Sequence, residues 1–445
     1  MMSISTIPDP AYLATMADGT IKQINPSTGT RVWTVPGRGI RPLVQPENDV
    51  RPVSDTDWTH GCVFCSARYL ETPPEKVRVV REDDGWSWIE RVGAEHLFDT
   101  VAEFRVVPNL FEIVSYDYWH KNYGYELPPD VAAHKQEYLA SPQGRRHVIA
   151  VQAAKLRQAG KTAEEIAAIC ECELADEADG FFGGGHDVVV ARRHWVDGAR
   201  TTGELASAGT LTRDEHEQYI RVTLAAMERL YETNRYTRYV AVFQNWLKPA
   251  GASFDHLHKQ LVGIDEHGAN ADQVLSRLRD NPNFFNECGV NYANYHNLLI
   301  AENESAVAFA GFGHRYPTIE IYSKSAEVKP WKQSDREVRD MSDMIHAVHA
   351  ATGATVPSNE EWHHTPVDLD VPMPWRINIK WRVSTVAGFE GDTKIYINTV
   401  SPAEVRDTVT TQLRELRAAG TVADMRIGDE CSGAPNPLKY NPTLW

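Results

Sequence analysis

The stretch FDHLHKQLVGI, residues 254–264, places His256, His258 and Gln260 at every second position. A helix would scatter the three side chains around its circumference. A strand aims all three at one face, because successive side chains alternate. The segment KPAGAS just upstream is loose. The chain must therefore build a sheet with one face reserved for two imidazoles and an amide.

The rest of the sequence supplies the sheet's other strands and its helices. RVWTV lies among the Pro- and Gly-rich residues 1–61, and VRVV (77–80) and FRVVPNLFEIVS (104–115) carry the β-branched and aromatic residues of strands. Residues 117–180 change to an Ala-, Glu- and Gln-rich pattern, predicting two or three helices. GGGHDVVVARRHW returns to a strand, and TRDEHEQYIRVTLAAMERLYETN is a helix with Thr212 and Glu215 as its capping box. RYVAVFQNW and HLHKQLVGI follow as strands. The second half replays this order: strands SAVAFAGFG and TIEIYSKS, helix SDREVRDMSDMIHAVHAAT, strands WRINIKWRVS and TKIYINTV, and a closing helix from Ser401. The expected class is α+β, helices packed on mainly antiparallel sheet, with an internal duplication whose copies share pattern more than residues.

Composition bounds the function. A net charge of −16 disfavours a surface built to neutralise nucleic acid, but a small phosphate ligand needs only a local cluster of donors. No apolar run approaches the length that spans a bilayer. The opening MMSISTIPDPAYLATMADGT lacks the basic residues of a signal peptide, so a cytoplasmic protein is expected. Six cysteines in 445 residues do not make a disulfide framework.

The pair Cys62/Cys65 in HGCVFCSAR has the spacing of a metal half-site, and equally that of two reduced thiols in a loop. His256 and His194, the latter at a strand end in VVVARRHW, are the candidates to complete a zinc tetrahedron. His258 would remain on the same face, about 7 Å away, as a neutral imidazole competent to attack an activated phosphorus. Gln260 and Ser253 could donate to the phosphate oxygens, Ser253 from a Gly/Ala loop. Arg38 and Arg41 in PGRGIRP offer guanidinium forks for a diphosphate. Asn109 in VVPNLF either fixes a turn or holds a ribose or base edge. Each motif alone also has an ordinary reading as surface arginines or exposed strand histidines.

Together the motifs resemble the galactose-1-phosphate uridylyltransferase family of the histidine-triad superfamily. F-x-N, G-x-S and H-x-H-x-Q fall on Phe243/Asn245, Gly251/Ser253 and His256/His258/Gln260. NPSTG followed by an arginine pair, the C-x-x-C, PNLF, His194 and the closing VAGFEGDTKIYINTVSPAEV fit in the same order. The resemblance implies His258 as nucleophile and Cys62, Cys65, His194 and His256 as zinc ligands. Ser253 and Gln260 would contact the transferred phosphate, Arg38 and Arg41 the diphosphate, Asn109 and Asn245 the nucleoside, and Glu390 the sugar. It implies two tandem histidine-triad-like halves, residues 1–265 and 266–445, and a homodimer acting on a nucleotide sugar and a sugar phosphate in carbohydrate (galactose) metabolism.

The chain departs from that pattern in places. The second half reads RINIK, with Asn378 and Lys380, where some members carry a second H-x-H. Leu110 replaces an acidic residue, no second metal is expected, and 117–180 is an insertion. The favoured activity is transfer of a nucleoside monophosphate, UMP first, from a nucleoside diphosphate sugar to a hexose 1-phosphate. A nucleotide-sugar or dinucleotide phosphorylase or hydrolase, and a non-enzymatic zinc-stabilised nucleotide-binding protein, are the alternatives.

Overall fold

The computed structural model describes residues 12–37, 50–83 and 85–444. Arg38 and Arg41 lie outside them. Three strands near the amino end, β1 (Leu13–Thr15), β2 (Ile21–Ile24) and β3 (Arg31–Thr34), form an antiparallel meander. The first half of the main sheet comprises β4 (Val77–Glu82), β5 (Gly85–Glu90), β6 (Phe104–Pro108), β7 (His186–Ala191), β8 (Tyr239–Trp246) and β9 (His258–Ile264). The second half comprises β10 (Leu299–Glu302), β11 (Ala306–Gly311), β12 (Thr318–Ser323), β13 (Ser358–His363) and β14 (Arg376–Trp381). β15 (Ile395–Asn398) runs parallel to β3, and β16 (Arg426–Ile427) adds an edge beyond β10.

The strand order of the main sheet is β16-β10-β11-β12-β14-β13-β8-β9-β7-β6-β4-β5. Read outward from the β8/β13 junction, the first five strands on each side repeat one topology, β8-β9-β7-β6-β4 and β13-β14-β12-β11-β10, and only the outermost strands, β5 and β16, differ in origin. The fold is α+β with two histidine-triad-like halves fused edge to edge. The junction pairs Gln244 with Glu360, each two residues before a tryptophan, Trp246 and Trp362. That pair marks a pseudo-two-fold axis. Helix Arg213–Thr233 precedes β8 and helix Asp335–Thr352 precedes β13. Both begin with the same device: Thr212 and Glu215, and Ser334 and Glu337, form capping boxes. The two helices meet through His216 Nδ1 and Ser342 Oγ at 2.8 Å.

One face of the sheet is therefore core. Phe104, Tyr219, Met227, Leu261, Ile345 and Trp375 are buried there in one continuous cluster. Alternation also sends Lys259 to this face, where its Nζ lies 2.5 Å from Glu360 Oε1, both side chains fully buried. His349 Nε2 reaches the other Glu360 oxygen at 2.7 Å. Burial works against the Glu360 carboxylate, but the Lys259 charge and His349 outweigh it and hold its pKa well below the usual range.

Two expectations need correction. Residues 104–115 do not continue as a strand, because Pro108 ends β6 and Asn109 Oδ1 accepts the Phe111 amide at 2.9 Å, closing a turn. The insertion is six helices between Tyr116 and Gly183 rather than two or three. Pro129 and Pro142 each open a new helix, Ser141 and Thr162 cap, and left-handed Gly124 and Gly160 break the chain between. Cys170 and Cys172 within it are joined by a disulfide. Among the described residues no helix is long and apolar enough to cross a membrane.

Candidate active site

The loop after helix Asp57–His60 turns tightly, with the Cys65 amide donating to the Cys62 carbonyl at 3.0 Å. This brings Cys62 and Cys65 Sγ to 3.9 Å from each other. His256 lies two residues before β9, in a bend rather than on the expected strand, and turns its Nδ1 to within 3.3 Å of Cys62 Sγ and 3.8 Å of Cys65 Sγ. His194, just beyond β7, places Nδ1 3.6 Å from Cys65 Sγ. All four donor atoms lie within 4.8 Å of one another. A tetrahedral zinc, with bonds of about 2.3 Å to sulfur and 2.0–2.1 Å to nitrogen, needs donor–donor edges of roughly 3.3–3.8 Å. The four residues fit that ion. His256 Nε2 donates to the Ala191 carbonyl at 2.6 Å, which leaves Nδ1 as the lone-pair nitrogen facing the thiols. The Cys62 S–H, with His194 and His256, holds the Cys65 thiol well below its usual range, while Cys62 is pushed up. A divalent cation would replace the Cys62 proton.

His258, the first residue of β9, pairs with Val190 on β7. Its Nδ1 donates to the His256 carbonyl at 2.7 Å. The tautomer is thereby fixed, and Nε2 keeps its lone pair. Burial pushes the imidazole down to about 4, so it is neutral near pH 7. The rings of Phe64 and Phe254 cover it, at 5.4 and 6.5 Å between centroids. Phe64 comes from the metal loop itself and also packs on His256 at 5.9 Å. The loop that collects the cysteines thus also roofs His258.

Gln260 follows one pleat along. Its Oε1 accepts from His186 Nε2 at 3.0 Å and lies 3.4 Å from Asn109 Nδ2. His186 Nδ1 accepts the Ile113 amide at 3.2 Å, which makes Nε2 the protonated nitrogen. Burial lowers the His186 pKa to about 4. With its oxygen engaged, Gln260 presents its NH₂ as a donor. His186 was missed by sequence reasoning. Its signal was the run HDVVV, whose alternation puts residues 186, 188 and 190 on one face, but only the β7–β9 pairing shows that this is the His258 face.

The loop between β8 and β9 has left-handed Leu247 (φ 65°) and Gly251 (φ 89°), and only glycine takes the latter without strain. Ser253 is exposed within it. Asn245 is held from the second half: Asn359 Nδ2 donates to Asn245 Oδ1 at 2.7 Å and to the Ala250 carbonyl at 2.8 Å. Asn245 lines a cavity of about 710 Å³ along the same face. Glu390 is on the short helix Gly388–Thr393, where its Oε2 accepts the Ala387 amide at 3.0 Å.

Residues 16–440 match the family described as "Domain of unknown function (DUF4921)". The chain belongs to that family. It is also similar to an ADP-glucose phosphorylase of Arabidopsis thaliana, 28% identical over 178 residues, 38% of this chain and 50% of the relative. The match thus spans about half the length of that curated relative. The crystal structure of an Arabidopsis thaliana ADP-glucose phosphorylase with bound ADP-glucose matches 88% of this chain and 97% of its own, with a TM-score of 0.56 and 19% identity. A "galt-like protein" from the same plant matches 88% and 98%, with a TM-score of 0.54 and 19% identity. At these identities the likeness is one of fold. This chain therefore shares the fold of those two plant proteins.

Proposed function

We propose that this protein transfers a nucleoside monophosphate from a nucleoside diphosphate sugar through a covalent nucleotidyl-His258. One observation supports this above the others: His258 has its Nδ1 proton committed to the His256 carbonyl and its Nε2 lone pair free, on a segment pinned next to the Cys/His cluster. Nε2 attacks the α-phosphorus. The N–P bond forms as the bond from phosphorus to the bridging oxygen breaks, and the sugar 1-phosphate leaves with the electron pair. The positive charge gained by the ring is met by the carbonyl on Nδ1. The Gln260 NH₂, the Ser253 hydroxyl and backbone amides of the 247–253 loop are suited to the charge on the non-bridging oxygens. A phosphate oxygen of the acceptor then attacks phosphorus and the N–P bond breaks, returning the neutral imidazole. Arg38 and Arg41 for the diphosphate, Asn109 and Asn245 for the nucleoside, Glu390 for the sugar and a homodimeric assembly belong to the same proposal.

Zinc held by Cys62, Cys65, His194 and His256 would be structural, since all four positions are filled, and would lock the loop bearing Phe64 to the start of β9. Both acceptor readings use a phosphate oxygen. The motif resemblance favours a uridylyl group passed to a hexose 1-phosphate. The similarity to an ADP-glucose phosphorylase favours an adenylyl group passed to inorganic phosphate.

The test is incubation with UDP-glucose and, separately, ADP-glucose, followed by intact-mass measurement and peptide mapping. A gain of one uridylyl or adenylyl group on His258 is expected and names the base. Subsequent release by hexose 1-phosphate or by inorganic phosphate names the acceptor. Turnover with no adduct on His258 would overturn the reading.

A further inference from the structure

The pseudo-two-fold axis through Gln244 and Glu360 gives the His258 site a counterpart in the second half. Phe243 pairs with Gln260 in the first half as Asn359 pairs with Lys380 in the second. His258 pairs with Val190 as Asn378 pairs with Glu320. Asn378 therefore stands where the nucleophile stands, and Lys380 where Gln260 does. An amide cannot carry a nucleotide, so the second site has lost the chemistry. It has not been filled in: Asn378, Lys380, Arg376, Arg382, Glu320 and Glu361 all line the cavity of about 710 Å³, a size within the usual range for small-molecule sites.

Its walls hold buried polar groups without partners. Asn378 is 5% exposed and Arg376 7% exposed, yet Asn378 Oδ1 and Arg376 Nε make no hydrogen bond, nor does Arg382 Nε. Such orphans are costly unless a ligand or water meets them. Three basic side chains face two acidic ones here, in a chain whose net charge is −16. Lys380 Nζ pairs with Glu361 Oε2 at 2.5 Å and Arg382 Nη1 donates to Asn359 Oδ1 at 2.6 Å; such carboxylates and amides suit sugar hydroxyls, while the guanidinium groups of Arg376 and Arg382, with the paired Lys380, suit a phosphate. The turn Asn25-Pro26-Ser27-Thr28-Gly29 is placed here as well. The Asn25 side chain accepts the Ser27 and Thr28 amides, both at 3.0 Å, and Ser27 and Thr28 line the cavity.

We propose that the second-half wall of this cavity, around Asn378, Lys380 and Arg382, is a non-catalytic subsite that binds a hexose phosphate, within the same cavity that Asn245 lines. The site stands whether or not His258 carries a nucleotide, so its test is made in a background without that imidazole. Calorimetric titration of full-length His258→Ala protein with glucose 1-phosphate should show binding. Asn378→Leu and Lys380→Met should each weaken it about tenfold or more, while Lys380→Arg largely retains it. Glucose and inorganic phosphate should each bind at least about tenfold more weakly than glucose 1-phosphate. Thermal melts check that each variant folds; if Asn378→Leu does not, the partly exposed Lys380→Met decides alone. Unchanged affinity in the folded variants, equal binding of inorganic phosphate, or tighter binding of adenosine monophosphate would each overturn the proposal.

Discussion

The two halves carry the same sheet, the same helix and the same pairing register, and differ in what covers the open face. In the first half the face is narrow and roofed: Phe64 and Phe254 close over His258, and the Cys62/Cys65 loop ties that roof to β9. In the second, the positions equivalent to His258, Gln260 and Val262 are Asn378, Lys380 and Arg382, and they line a cavity. The backbone topology thus provides a row of outward positions twice. The proposed reactivity belongs to the half in which an imidazole with a fixed tautomer is buried next to the Cys/His cluster.

The strongest way to break this contrast is His258→Ala. Turnover of nucleotide sugars should fall on the order of a thousandfold or more, with the adduct absent by mass and the circular dichroism spectrum unchanged. Activity that survives would place the chemistry elsewhere. Cys62→Ser comes next. Bound zinc, measured by elemental analysis, should fall from about one per chain, with several kcal/mol of stability lost because ligand binding is coupled to folding. Glu360→Leu probes the junction between the halves. Lys259 would be left charged and unpaired in the core, costing about 3–5 kcal/mol in urea denaturation, and adding Lys259→Leu should recover most of it. The smallest effect is expected from Asn378→His. The second half has no thiol pair beside that position, so labelling should stay at one nucleotide per chain; a second adduct would show that the halves differ by one side chain alone.

Much of the first-half site was legible in the sequence because it depends on local rules. Alternation put His258 and Gln260 on one face of β9, although His256 sits in the bend before the strand rather than on it; C-x-x-C spacing brought two thiols together, and the capping box at Thr212 set the helix that supports the sheet. What was illegible depends on pairing between distant strands. His186 supports Gln260 only because β7 lies beside β9, and Asn359 braces Asn245 only because β13 lies beside β8. Phe64 was equally hidden, since nothing in HGCVFCSAR says what the ring covers. The insertion's helix number went wrong for a local reason. Helical periodicity was read through Pro129 and Pro142, which start new helices as readily as they end old ones.

The salt link between Lys259 and Glu360 also bears on how a gene for this protein could be cut. The duplication suggests two interchangeable parts, with a natural seam after residue 265. A fragment ending there would expose the long bare edge of β8 and keep an ammonium group whose counter-charge had gone with the other piece. Each half thus supplies backbone partners and a counter-charge to the other, so neither is expected to fold when cut free.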